Sequence, residues 1–294
     1  VEGGAGFSML KITQSMIRDN TASNDGGGIN IKPGNKLELT DSRVLNNSAG
    51  DDGGGIEAEA GSDITIADST FTDNTASRGG GIDNEGGITV TDSLVSENEA
   101  TDDGGGIRNE EAADRNSPTS SRLTILNSTI RENTAHNRGG GIRNENEGTV
   151  IIMNSTIHGN TSTDDGDRDG GGGIHNSGNM TITGSTISNN TAESRGGGIR
   201  NKENLTLTNC TIGGNTAGND GGGIESDDTL SMTNCTISGN MAGDNGGGIR
   251  RDGGRFRLQN TIIAGNQAGN NGPDCHGSII SLGHNLIGIS THCN

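Results

Sequence analysis

The sequence predicts an all-β fold, a right-handed parallel β-helix (solenoid) of about ten coils with three short strands in each, on three observations. A GGGI element recurs along the chain, an apolar residue three before an asparagine recurs beside it, and short alternating aliphatic-threonine stretches lie between the two.

GGGI places its isoleucine at Ile29, Ile56, Ile82, Ile107, Ile142, Ile174, Ile199, Ile224 and Ile249. Copies are 25 to 27 residues apart except for two wider intervals of 35 and 32, and each interval is one coil. The second element runs Ile17/Asn20, Val44/Asn47, Phe71/Asn74, Val95/Asn98, Ile130/Asn133, Ile157/Asn160, Ile187/Asn190, Ile212/Asn215, Ile237/Asn240 and Ile263/Asn266, which counts ten coils. Stretches such as Leu205-Thr206-Leu207-Thr208 and Met180-Thr181-Ile182-Thr183 have the period of two that sends aliphatics inward and threonines outward. Such a unit buries its apolar face only against its neighbours, and ten coils at about 4.8 Å each make a rod roughly 48 Å long.

Stacking turns equivalent residues into columns. One is Ser15, Ser42, Ser69, Ser93, Ser128, Ser155, Ser185, Cys210, Cys235 and Thr261, where a tight bend demands small side chains. Another is Asn20, Asn47, Asn74, Asn98, Asn133, Asn160, Asn190, Asn215, Asn240 and Asn266, expected to form an amide ladder, with Asn also tolerating a left-handed turn. The glycine before each isoleucine supplies positive φ or close backbone approach at a corner, and GGG is no phosphate loop because no GK[ST] follows.

Composition sets further bounds. With 54 Gly, three Pro, three Phe, no Trp or Tyr and a net charge of -18, the 294 residues cannot fill a conventional globular core, only a thin repeated one. The 20 Lys and Arg are scattered among 38 Asp and Glu, which argues against nucleic acid as a partner. No apolar run approaches a membrane span, and with no initiating Met or signal peptide the chain reads as a mature or processed product.

Cys210, Cys235, Cys275 and Cys293 contain no CxxC pair and fit disulfides in an oxidising compartment, hence an extracellular or cell-surface location. Cys275 follows Asn266 at the offset where isoleucine follows asparagine in earlier coils, so it takes the last core-facing corner. It is predicted to pair with Cys293, dividing the chain into repeats over 1–274 and a disulfide-closed segment of the same domain over 275–294. Cys210 and Cys235 share a column one coil apart, where a second bridge forms only if the side chains turn toward each other.

The residue before GGG alternates in sign through the middle of the rod, so Asp52, Arg78, Asp103, Arg138, Asp169, Arg195 and Asp220 are expected to stack as an ion-pair ladder that holds register. The wider coil spacings mark loop insertions near 109–122 and 161–170. In the second, Asp165, Asp167, Asp169 and Gly170 match the DxDxDG opening of a calcium loop, although its twelfth position is Asn176 instead of a bidentate Glu. Calcium is accordingly the one candidate cofactor.

GG followed by one small residue and Ile, with the apolar-xx-Asn element, resembles the paired GGA[ILV] and FxxN repeats of polymorphic outer-membrane protein passengers, with Gly here in place of Ala. The tail from Gly272-Pro273-Asp274-Cys275 through Leu282-Gly283-His284-Asn285 to Cys293 is similar to the closing segment of secreted bacterial β-helix proteins with CSLREA-type leaders. The resemblance implies secretion, surface display and adhesion. It includes no membrane-barrel segment.

The expected function is therefore that of an extracellular structural or adhesive solenoid. Its partners would be surface glycans or proteins, or other copies of itself joined head to tail in a filament, because an open coil end offers unpaired strand edges. The alternative is a carbohydrate-active enzyme, a lyase or glycosidase, on the same scaffold. Against it stand the missing Trp and Tyr and carboxylates that recur in register with the turns. A minor alternative is ice binding, from the Thr181/Thr183, Thr206/Thr208 and Ser231/Thr233 array, which Glu38, Ile151, Met153 and Arg257 interrupt.

Overall fold

The structure is a computed structural model that describes residues 8–110, 121–164 and 170–293. Among the described residues there is no helix, and the strands form four parallel sheets that run the length of the stack. The first sheet has eleven strands from Met9–Thr13 to Ile280–Ser281, and the second eleven from Met16–Arg18 to Leu286–Ile287. The third and fourth have ten each, from Thr21–Ala22 to Gln267–Ala268 and from Ile29–Ile31 to Cys275–His276.

The parallel solenoid of about ten coils is as the repeat predicts, but each coil holds four strands where three were expected. The coil Asn204–Thr208, Thr211–Gly213, Thr216–Ala217, Ile224–Ser226 shows why. Its third strand has only two residues, too short for a period-two signal, and it pairs because the asparagine before it and the glycine corner after it fix its height. The tail also continues the stack: Cys275 pairs with Ile249, Ile280 with Arg257 and Leu286 with Ile262.

One or two aliphatics per strand fill the interior. Leu205, Leu207, Ile212, Ala217 and Ile224 are all buried, and the GGGI isoleucines from Ile56 to Ile249 are at most 1% exposed. Burying each of these isoleucines is worth about 1.5–3 kcal/mol, and only the coil above and the coil below can supply the cover.

Both sequence markers build the same corner. The residue before each ladder asparagine carries the left-handed φ, as at Asp19, Asn46, Asp73 and Asn189, not the asparagine itself as anticipated. In GGG the first glycine is left-handed, for instance Gly139 at φ 65°. The third glycine is needed for space: a Cβ on Gly141 would lie 2.7 Å from the Gly173 carbonyl and 3.0 Å from the Asn160 amide of the next coil. At the two insertions the flanking strands end at Asn109 and Ser162, and pairing resumes at Arg122 and Gly170.

Candidate functional site

The residue after each GGGI isoleucine, and His276 after Cys275, form a column in the fourth sheet: Asn30, Glu57, Asp83, Arg108, Arg143, His175, Arg200, Glu225, Arg250 and His276, each paired in register with the next. The strand alternation points these side chains away from the aliphatic core. They are nonetheless covered, because the left-handed first glycine of GGG lies across their Cβ atoms; a Cβ on Gly79 would sit 2.8 Å from that of Asp83. Glu57, Asp83, His175, Arg200 and Glu225 are at most 3% exposed. Nine of the ten are ionisable residue types set under a lid of turns, a concentration that scattered surface charge does not give.

Arginines tie the column together. Arg108 reaches Asp83 at 3.2 Å and Glu145 at 2.9 Å, contacts Glu110, and stands 3.6 Å from Asp52. Arg200 grips Asp227 with two parallel bonds of 2.8 and 2.7 Å, the strong bidentate form. Glu225 lies between Arg195 at 3.3 Å and Arg250 at 3.2 Å, and Arg250 also holds Asp220 and Asp252. Arg143 donates to the Asn144 carbonyl and to Ser177 and stands 3.6 Å from Asp103.

Burial dominates the titration of these groups. It pushes Glu225 up to about 7 against the pull of Arg200, Arg195 and Arg250, Asp83 up to about 7 against Arg108, and Asp52 up to about 6 against Arg78 and Arg108. Among the described residues no cation pairs with Glu57; burial pushes its carboxyl up to about 11, and Asp83, Asp52, Glu85 and Asp25 add to the effect. His175 is held well below its usual value by burial and by Arg143 and Arg200, and is therefore a neutral ring whose Nδ1 faces the Gly170 carbonyl at 3.2 Å. At Glu145 burial is outweighed by Arg108 and Arg143, which hold the carboxylate low.

Four continuous sheets around a shared aliphatic interior, closed by repeated glycine corners, agree with what family comparison finds. A family model described as a right handed beta helix region matches residues 2–123 and 116–290. The chain belongs to the right-handed β-helix family. No curated protein and no solved structure matches it.

On this right-handed β-helix the asparagines from Asn20 to Asn266 form an unbroken series. Each Nδ2 donates to the Oδ1 of the next at 2.9–3.0 Å, and the same oxygen accepts the previous backbone N–H. A second ladder, unread in the sequence, runs Asn84, Asn109, Asn144, Asn176, Asn201 and ends on Ser226. Its signal was there as GGGIxN, as was that of the charged column as GGGI followed by a charged residue. In the serine column each hydroxyl donates to the carbonyl two residues earlier and accepts the N–H of the previous coil, as at Ser128.

Of the expected ion-pair ladder, three neighbouring pairs are present among the described residues. Arg78 holds Asp52 at 2.7 Å and Asp51 at 2.8 Å, while Arg138 stands 3.8 Å from Asp103 and Arg195 3.9 Å from Asp220. Among the described residues no ion pair joins Arg78 to Asp103. The buried column shares these acids: Asp103 accepts the Arg138 backbone N–H at 3.0 Å and stands 3.6 Å from Arg143, and Asp220 pairs with Arg250 as well as with Arg195. Asp169 lies outside the described residues, and Gly170 occupies the position paired with Arg195.

Cys275 and Cys293 are joined by a disulfide with Cα atoms 5.5 Å apart. Cys210 and Cys235 are free, against the second bridge considered for them. Their sulfurs take the serine role and donate to the carbonyls of Thr208 and Thr233. The calcium-loop residues Asp165, Asp167 and Asp169 lie outside the described residues. Two further acidic groups are close enough to share a metal ion, Asp25/Asp51/Asp52 and Glu225/Asp227/Asp252; the second is already closed by Arg200 and Arg250. On the outer surface a groove of 590 Å³ runs past Asp68, Asp92, Asn127 and Arg131.

Proposed function

We propose that this β-helix is a structural or adhesive rod that works outside the cell or on its surface and presents a periodic face to a partner. The observation that carries the reading is the register of outward threonines. Thr129, Thr156, Thr186, Thr211 and Thr236 are paired rung to rung on the second sheet, and Thr134, Thr161, Thr191 and Thr216 on the third. Rungs about 4.8 Å apart give a flat hydroxyl lattice, suited to a repeating glycan or an extended peptide. The Cys275–Cys293 bridge supports an oxidising compartment.

The competing reading is a polysaccharide-active enzyme working in the groove beside Asp68 and Asp92, whose carboxylates are exposed and in neighbouring coils. A glycan array run beside a reducing-end assay on polysaccharides separates the two. Binding without new reducing ends supports the rod, and cleavage of any glycan overturns it.

A further inference from the structure

The segment that closes the solenoid is a loop pinned at its two ends. Cys275 and Cys293 are joined by the disulfide, so residues 276–292 form a covalently closed loop. Within it the hold on the coil below is light. The strands Ile280–Ser281 and Leu286–Ile287 have two residues each, and Ile280, Leu282, Leu286 and Ile289 are 46–58% exposed. At the pinned ends two histidines meet. The rings of His276 and His292 stack with centroids 6.0 Å apart and planes 22° from parallel, and the Gly277 N–H donates to the His292 carbonyl at 2.8 Å.

The surroundings favour uncharged rings. His276 Nδ1 is shut off from solvent and has no hydrogen-bond partner, so a proton placed there is a buried donor without an acceptor. Arg250 stands one rung before His276, in register with it, and a Cβ on Gly277 would lie 2.9 Å from that of Arg251. The acids on this side, Asp220, Glu225 and Asp252, are all paired with Arg250. Burial first, then Arg250 and His292, hold the His276 ring below the usual histidine value, against the opposite pull of Asp220 and Asp252. The seated loop is therefore most stable above the usual histidine value of about 6.5 and loosens as pH falls below it, because the lifted loop takes up a proton that the seated one resists.

We propose that His276 and His292 form an acid-sensitive latch: stacked and neutral they hold residues 276–292 on the last coil, and protonated they let the loop lift while the disulfide keeps it attached. Lifting bares the strand edges of Phe256–Gln259 and Ile262–Ile263, which pair with the loop. The inference does not rest on the adhesive reading. It is tested by hydrogen exchange of the intact, unreduced chain at pH 8 and pH 5, corrected for the intrinsic exchange rate. The amides of Gly277, Leu282, Leu286 and Gly288 report on the loop, and those of Ile107 and Ile142 on the middle coils. His276→Gln and His292→Gln remove the titration, with circular dichroism checking the fold. The expected result is a loss of loop protection at pH 5 of about fivefold or more, with a ceiling of about thirtyfold for each histidine that titrates near 6.5 when the loop is lifted. His276→Gln should abolish that loss and His292→Gln reduce it. Equal loop protection at the two pH values, an equal loss in the middle coils, or a loss that either folded variant leaves unchanged overturns the proposal.

Discussion

The asparagine ladder ends on a carboxylate: Asn266 Nδ2 donates to Asp274 Oδ1 at 2.9 Å, and the Asn266 backbone N–H donates to the same oxygen at 3.0 Å. Every earlier rung needs an amide, because it must accept from the coil before and donate to the coil after. The last rung has only to accept, and Asp274 does so twice over, its Oδ2 taking the Ile289 N–H at 2.7 Å. Asp274→Asn places an NH2 group against one of these donors. The expected cost is about 1–3 kcal/mol, read as a lower thermal midpoint, with the loss concentrated in amide-exchange protection of the last coils.

A rung in the middle matters more than the last. Asn133 accepts from the backbone and side chain of Asn98 and donates to Val95 O and Asn160 Oδ1. Asn133→Ala leaves buried groups unpaired on both neighbouring coils, each worth about 1–3 kcal/mol. Its thermal midpoint should fall further than that of Asp274→Asn, and the reverse order would show that the ladder does not act through satisfied hydrogen bonds.

The buried acids give stability a pH dependence with a definite sign. Glu57 titrates near 11 in the folded chain and near 4.5 unfolded, so above pH 4.5 the unfolded state releases a proton that the folded state keeps. Stability from this group is fully present below pH 4.5 and is lost progressively as pH rises toward 11. Glu57→Gln fixes the neutral form. In chelator-treated samples the thermal midpoint of the variant should therefore gain on that of the parent from pH 5 to pH 9, by several degrees or more; a constant difference would contradict the burial argument.

Two glycines separate space from conformation. Gly141→Ala drives a methyl to 2.7 Å from a backbone carbonyl with no room to yield, so a loss well above 1 kcal/mol is expected. Gly265 has φ 74° and nothing within 4 Å of a Cβ, so Gly265→Ala should cost only the left-handed strain, about 1–2 kcal/mol. Urea midpoints of the two variants check the order.

Thiol titration of the denatured, unreduced chain should return two thiols, from Cys210 and Cys235, rising to four after reduction. Four before reduction would remove the Cys275–Cys293 bridge. None would mean that Cys210 and Cys235 abandon their bonds to Thr208 and Thr233 and pair with each other.

The sequence by itself determined the parallel stack, its coil count, the asparagine series and the Cys275–Cys293 corner, because each depends on strict recurrence. A residue type repeated at a fixed place in ten stacked coils must face its own copy above and below. Only the tertiary structure decided what covers what. The residue after each GGGI isoleucine lies on the outward side of a strand, where a charge ordinarily meets water. That Glu57, Asp83, Arg200 and Glu225 are buried follows from the left-handed glycine turn folding back over them, which the GGGI-plus-charge pattern marks without showing the cover. The same fold brings Arg143 and Arg250 beside Asp103 and Asp220, contacts outside the row that sign alternation alone does not reveal.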